Sequence, residues 1–232
     1  MSGLRVLFQS DALLAVDKPA GALVIPGRDA ERGPSLREQL ETTLARKVYV
    51  VHRLDRDTSG VLLFALTPEA HRALSMAFEA GAVEKTYTAL VTGDLTAPVD
   101  VETWLKPARR GRMRPALPDE PEAKPAQTRF RPLERFDRAT WVEARPLTGR
   151  THQIRVHLLS IGHPLLVDPQ YTRPRAMTSA ELGGAGDAQV LARTPLHAQR
   201  LRVPASAGLP LLDLEAPLPA DLQEALTVLR RS

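Results

Sequence analysis

The sequence predicts an α+β fold built on a mixed or mainly antiparallel sheet. Three observations point there. Strand-like segments outnumber helix-like ones, several neighbours are close enough to be hairpin-connected, and neither G-x-G-x-x-G nor a Walker-type loop occurs. Segments 13–16, 48–51, 61–65, 86–91 and 140–144 are short, apolar and rich in β-branched or aromatic residues, as strands are. Segments 35–44 and 68–78 carry apolar residues at helical spacing; Pro68 suits a first helical turn and Gly81 follows the last. Segment 151–160, THQIRVHLLS, reads as a short helix with Thr151 as its N-cap, stopped by Gly162 and Pro164. Segments 196–203 and 211–214 read as strands joined across PASAGLP, and 219–231 closes the chain as a helix. Segment 106–127, with five prolines and four arginines, and segment 172–195, with GGAG, read as long loops, because both are too rich in Pro or Gly for regular structure.

The 232 residues are 43% hydrophobic and 25% charged, enough to bury a core, so wholesale disorder is excluded and one domain over 1–232 is expected. Cysteine is absent, which excludes disulfides, thiol catalysis and Cys-based zinc or iron–sulfur centres. His152 and His157 stand five apart, so they do not share a helix face as paired ligands would, and no metal is expected. There is no run of 18 apolar residues, and the N-terminal segment lacks the order of a signal peptide; the expectation is a cytoplasmic protein with no membrane partner. Five lysines stand against 26 arginines, and the net charge is +4. A GC-rich genome raises Arg at the expense of Lys. A guanidinium also grips phosphate bidentately and stacks on bases, so the balance fits a polyanionic partner too.

Three stretches carry chemistry. In 51–65, VHRLDRDTSGVLLFA, a polar cluster is wedged between two apolar segments, with Asp55 amid Arg53 and Arg56 and a tight turn at Thr58, Ser59 and Gly60. Such a loop can point one ionised carboxylate into a cleft as nucleophile or base; the plainer alternative is an Asp that caps a turn and pairs with Arg. In 147–158, LTGRTHQIRVHL, Arg150 sits just before a helix, and Arg155 is spaced to grip a phosphate or to orient a carboxylate; the alternative is a surface ion pair. In 83–91, VEKTYTALV, Lys85, Tyr87 and Ala89 share one strand face, so Tyr87 either stacks on a base or fills the core.

Taken together, HRLDRDTSG, VEKTYTALV, LTGRTHQIRVHLLSIGHPLLVD and LHA at 196–198, preceded by VDKPAG at 16–21, resemble the RluA-type RNA pseudouridine synthases from Leu13 to Leu201. The resemblance implies the pseudouridine synthase fold, a bent, mainly antiparallel sheet with flanking helices and a central catalytic cleft. It implies an isomerase (intramolecular transferase) that turns uridine in tRNA or ribosomal RNA into pseudouridine, with no cofactor and no metal. Asp55 would be the catalytic aspartate. Arg150 would pair with it, Tyr87 would pack against the target uracil, and Arg53 would fill the vacated base stack. The chain resembles the compact, monomeric members without a separate N-terminal RNA-binding domain, and it departs from the pattern at Val167, where glycine commonly precedes the aspartate corresponding to Asp168.

These residue types suit that reaction. The N1–C1′ bond must break, the uracil must turn, and C5 must bond C1′; nothing is hydrolysed, so one carboxylate serves where a glycosidase uses two. Asp55 could attack C1′, abstract the 2′ proton or attack C6, and the sequence leaves the three routes open. A stacked uridine must be flipped out, and arginines such as those in 109–114 could hold the phosphates meanwhile. Two rival readings remain: a non-catalytic RNA-binding protein that retains the fold, and a base-releasing glycosidase using Asp57 as a second carboxylate.

Overall fold

The structure, a computed structural model, describes residues 4–26, 33–173, 175–206 and 208–231. In chain order the elements are β1 (Arg5–Gln9), β2 (Leu13–Lys18), α1 (Leu36–Leu44), β3 (Tyr49–Val50), β4 (Ser59–Ala65), α2 (Pro68–Glu79), β5 (Glu84–Thr92) and β6 (Val99–Pro107). They continue with β7 (Met113–Ala116), β8 (Lys124–Arg135), β9 (Ala139–Pro146), α3 (Gln153–Ser160), β10 (Met177–Thr178), β11 (Gln189–Leu191), β12 (Leu196–Val203), β13 (Leu212–Glu215) and α4 (Ala220–Leu229). The chain divides into two compact units, Met1–Lys85 with Ala198–Pro217, and Thr86–His197 with Leu218–Ser232.

In the first unit β1, β2, β4 and β12 are successive neighbours, β3 pairs with β4 and β13 with β12. The pairings of β1 with β2, β2 with β4, β3 with β4 and β12 with β13 are antiparallel. Every residue of β4 is buried, and one core joins Leu13, Ala15, Val61 and Leu63 of the sheet to Ala70 and Leu74 of α2. The predicted helices form for local reasons as well. Ser35 makes a capping box with Glu38 at the start of α1, and Thr67 caps α2 with Pro68 in its first turn; such caps contribute about 1 kcal/mol each. The β2–β4 register sets Lys18 opposite Gly60.

Gly60 has φ 114°, and a Cβ there would lie 2.2 Å from the Ala198 carbonyl oxygen. Only glycine lets β4 lie this close to β12. Gly60→Ala is therefore expected to cost at least ~3 kcal/mol, a drop of roughly 6–12 °C in Tm for a chain this size. A thermal melt matching wild type would show that the backbone yields without cost.

In the second unit the strand order is β5, β9, β8, β6, β7, and the pairings are antiparallel. β5 is buried on both faces: Ala89 and Val91 pack with Phe130, Val142 and Leu158, while Leu90 packs with Trp141 and the apolar face of α4. Segment 106–127 corrects the expectation of a long loop. It holds the end of β6, all of β7 and the start of β8. Its prolines fall where a sheet tolerates them: Pro107 ends β6, Pro115 lies in the terminal strand β7, and Pro125 is the second residue of β8. The remaining turn is closed by Glu120, which accepts from Leu117 N (2.9 Å), pairs with Arg114 and lies 3.5 Å from Lys106. The Arg114 guanidinium, first among several causes, holds the Glu120 carboxyl down at about 2.

Segment 172–195 likewise is not one loop. β10 and β11 pair within it, and Leu182, Val190 and Leu191 are buried against Leu222, Leu226 and Leu229 of α4. Three apolar anchors offset the Gly-rich turn between them. No helix among the described residues is long and apolar enough to cross a membrane.

Candidate active site

In the first unit the loop between β3 and β4 carries exposed Arg53, half-buried Asp55 and exposed Arg56. It is held from beneath by a lysine. Lys18 is fully buried, and its Nζ donates to the carbonyls of Arg56 (2.8 Å), Thr58 (2.8 Å) and Pro19 (3.0 Å). The Arg56 carbonyl also accepts from Gly21 N (2.9 Å), and Arg56 Nε returns a bond to the Gly21 carbonyl (3.1 Å). Thr58 N donates to the Asp55 carbonyl at 3.2 Å, closing the turn. A buried ammonium must fill its donors, so it fixes the backbone on either side of Asp57. The loop thus presents the Asp55 carboxylate from a main chain with little freedom to move, which is what positioning a reacting group requires.

His52, three residues before Asp55, is structural. Its Nε2 accepts from Leu63 N (2.9 Å) and its ring stacks on Phe78 at 4.8 Å. Burial, with a smaller contribution from the Lys85 cation, pushes it down to about 3. In the second unit burial pushes His157 down to about 4 while its Nδ1 contacts Thr128 Oγ1 at 2.9 Å. Both histidines are neutral when folded and bind protons readily when unfolded. Their contribution to stability is therefore complete above the unfolded value near 6.5 and is lost as pH falls below it. Asp17, raised by burial against the lowering by Arg5, has the opposite sign. The urea midpoint is expected to fall steadily from pH 7 to pH 5, and a flat profile there would contradict the buried neutral state.

In the second unit Tyr87 lies on β5 opposite Ala144, half-buried and packed on the core that Ala89 enters, so the shared face predicted for the two residues is observed. Arg150 stands in the turn between β9 and α3, its Nε donating to the Pro125 carbonyl at 3.1 Å. Thr151 is not the N-cap of α3. That position is His152, in the left-handed conformation at φ 53°, and no side chain caps it. The reason is Gln153. Its buried amide oxygen accepts from Arg150 N (2.9 Å) and Thr148 Oγ1 (2.7 Å), while its Nε2 donates to the Gln127 carbonyl (2.9 Å) and Thr128 Oγ1 (3.0 Å). All four capacities of one amide are used, and the turn that carries Arg150 is locked by a side chain inside the helix.

Arg155 takes the second of its two predicted roles. It orients a carboxylate: Nε and Nη2 grip Asp168 at 2.8 and 2.7 Å, with both side chains about 95% buried. The same guanidinium reaches Gln170 Oε1 (3.1 Å) and lies 4.9 Å over the Tyr171 ring, whose hydroxyl meets His152 Nδ1 (2.8 Å). Val167, where glycine is common in the resembling family, is completely buried beside Leu166 in the α4 core. Among the described residues no group of three or more His, Asp or Glu side chains gathers as a metal site. Sequence reasoning missed Lys18 and Gln153 as positioning residues; both lay inside quoted motifs, as the lysine of VDKPAG and the glutamine of GRTHQ.

The sequence and fold have counterparts among known proteins. The family model described as RNA pseudouridylate synthase matches residues 12–160. Ribosomal large subunit pseudouridine synthase D of Nitrosomonas europaea is 39% identical over 233 residues, covering 98% of this chain and 65% of that protein. Ribosomal large subunit pseudouridine synthase C of Vibrio cholerae is 37% identical over 228 residues, covering 98% of this chain and 70% of that protein. The chain thus spans only about two thirds of the length of these relatives. The solved structure of human RNA pseudouridylate synthase domain containing 4 aligns with a TM-score of 0.76 at 25% identity, covering 97% of this chain and 93% of that one. Human RNA pseudouridylate synthase domain containing 1 aligns at 0.72 and 25%, covering 99% and 96%. The α+β architecture is therefore the pseudouridine synthase fold. Because the match runs through the anchored Asp55 loop, β5 and the Gln153-locked turn, the chain belongs to the RNA pseudouridylate synthase family, isomerases of uridine in RNA.

Proposed function

We propose that this chain converts uridine in ribosomal RNA to pseudouridine, with Asp55 as the reacting carboxylate and Arg53, Tyr87 and Arg150 engaging the substrate. The observation that carries this reading is that all four residues fall within the family match over 12–160, in relatives named for the large ribosomal subunit. The chemistry balances without a cofactor. The N1–C1′ bond breaks, C5 bonds C1′, C5 gives up its hydrogen and N1 gains one. A flipped uridine leaves a gap in the stack, and unstacking costs a few kcal/mol that an inserted guanidinium offsets. Exposed Arg53 has the reach and the planar face for that role, and Tyr87 offers a ring to the extruded uracil.

The test is tritium release from RNA labelled at uracil C5, with ribosomal RNA and tRNA as separate pools. C5 loses its hydrogen only when it becomes the point of attachment. Release from the ribosomal pool is the expected result. Release from tRNA alone would keep the reaction and change the substrate, whereas binding of both pools without release would make this an RNA-binding protein on a synthase fold.

A further inference from the structure

The second unit contains a cleft of about 420 Å³ between the β6–β7 turn and the segment after Asp168, lined by Arg110, Arg112, Arg173, Arg175 and Tyr171. That volume is typical of a ligand site, but such sites are mostly apolar, and this one is walled by guanidinium groups with no carboxylate among its lining residues. Arg114 pairs with Glu120, Arg131 with Glu143, Arg135 with Asp94 and Arg230 with Glu134, whereas among the described residues no carboxylate pairs with any of the four cleft arginines. Four like charges around one concavity repel one another unless an anion sits among them.

The walls are built rather than accidental. Tyr171 OH accepts from Met113 N (2.7 Å) and Gln170 Nε2 donates to the Gly111 carbonyl (3.1 Å), tying the hairpin turn to the opposite segment. The buried Arg155–Asp168 pair holds that segment through Gln170. Arg110 occupies the left-handed region at φ 58°, a conformation that a non-glycine residue rarely adopts.

We propose that this cleft is an anion site that takes successive backbone phosphates of the RNA substrate. The proposal rests on the reading above for its choice of RNA, and on the cleft itself for the anion. Planar guanidinium forks match phosphate oxygens bidentately, and backbone contacts fix register without reading sequence.

The experiment measures the affinity of the protein for a ribosomal RNA fragment across a potassium chloride series. The variants are Arg112→Gln/Arg173→Gln and Arg112→Lys/Arg173→Lys, all exposed positions, with melts to confirm folding. Losing two phosphate contacts should reduce the log–log salt slope by about 1.4–1.8 and weaken binding roughly tenfold near 0.1 M salt, and the lysine pair should keep most of the slope. An unchanged slope in the glutamine pair overturns the proposal. If inorganic pyrophosphate binds the wild type, is lost in the glutamine pair, and the RNA slope stays unchanged, the cleft is a small-polyphosphate site and the RNA assignment is wrong. C5 tritium release on the same samples separates the two claims. Release with an unchanged slope removes the cleft and leaves the reaction; a reduced slope without release does the reverse.

Discussion

Asp55→Asn should abolish pseudouridine formation while leaving the fold and RNA binding in place. Asparagine keeps the shape of the side chain, but it turns one acceptor oxygen into a donor, carries no charge and accepts no proton. Attack on C1′, attack on C6 and abstraction of the 2′ proton all need the ionised carboxylate, so the expected loss does not depend on the route. A fall of at least ~10³ in turnover, about 4 kcal/mol in the barrier, is the scale for removing a reacting group. Lys18 and Gly21 hold the loop by its backbone carbonyls, and the substitution leaves those bonds in place. The readout is C5 tritium release with product analysis by chromatography. Turnover at the wild-type rate would remove Asp55 from the reaction. Free uracil in the wild-type product would instead mark a glycosidase and move attention to Asp57.

Such a prediction could be framed from the sequence because HRLDRDTSG and GRTHQIR are local signals. Polar clusters between apolar segments stand out in a linear reading, and the strands and helices next to them follow from period and capping: Ser35 with Glu38, Thr67 with Pro68, the apolar run of β4. What holds the site in shape is not local. Lys18 lies under the Asp55 loop only because β2 and β4 pair with Lys18 opposite Gly60, and register is not written in either strand alone. Gln153 locks the Arg150 turn only because β8 brings Gln127 and Thr128 within reach. Read by composition alone, the Pro-rich segment is a loop, whereas a terminal strand has a free side where a missing N–H costs nothing. Its better signal was the alternation of Ala126, Thr128 and Phe130, all buried, with Arg129 and Arg131 exposed between and beyond them.

The Arg155–Asp168 pair yields the second large effect, and here the asymmetry between breaking and replacing a buried ion pair decides the outcome. Asp168→Ala leaves a guanidinium about 94% buried beside Gln170 and the Tyr171 ring, with the carboxylate that met its charge gone. The desolvation penalty that the pair had met together then falls on one ion. A loss of about 3–5 kcal/mol is expected, read as a lower urea midpoint with an unchanged slope. Replacing both, as in Arg155→Met/Asp168→Leu, removes the charges with their cost and should recover most of that loss. The double variant also separates stability from function. The segment carrying Gln170, Tyr171 and Arg173 loses its polar tie to α3 while the core keeps its volume. A double variant as stable as wild type but with a smaller salt slope for RNA would show that the buried pair serves the arginine cleft. A double variant no more stable than Asp168→Ala would show instead that packing around α3 depends on the ion pair itself.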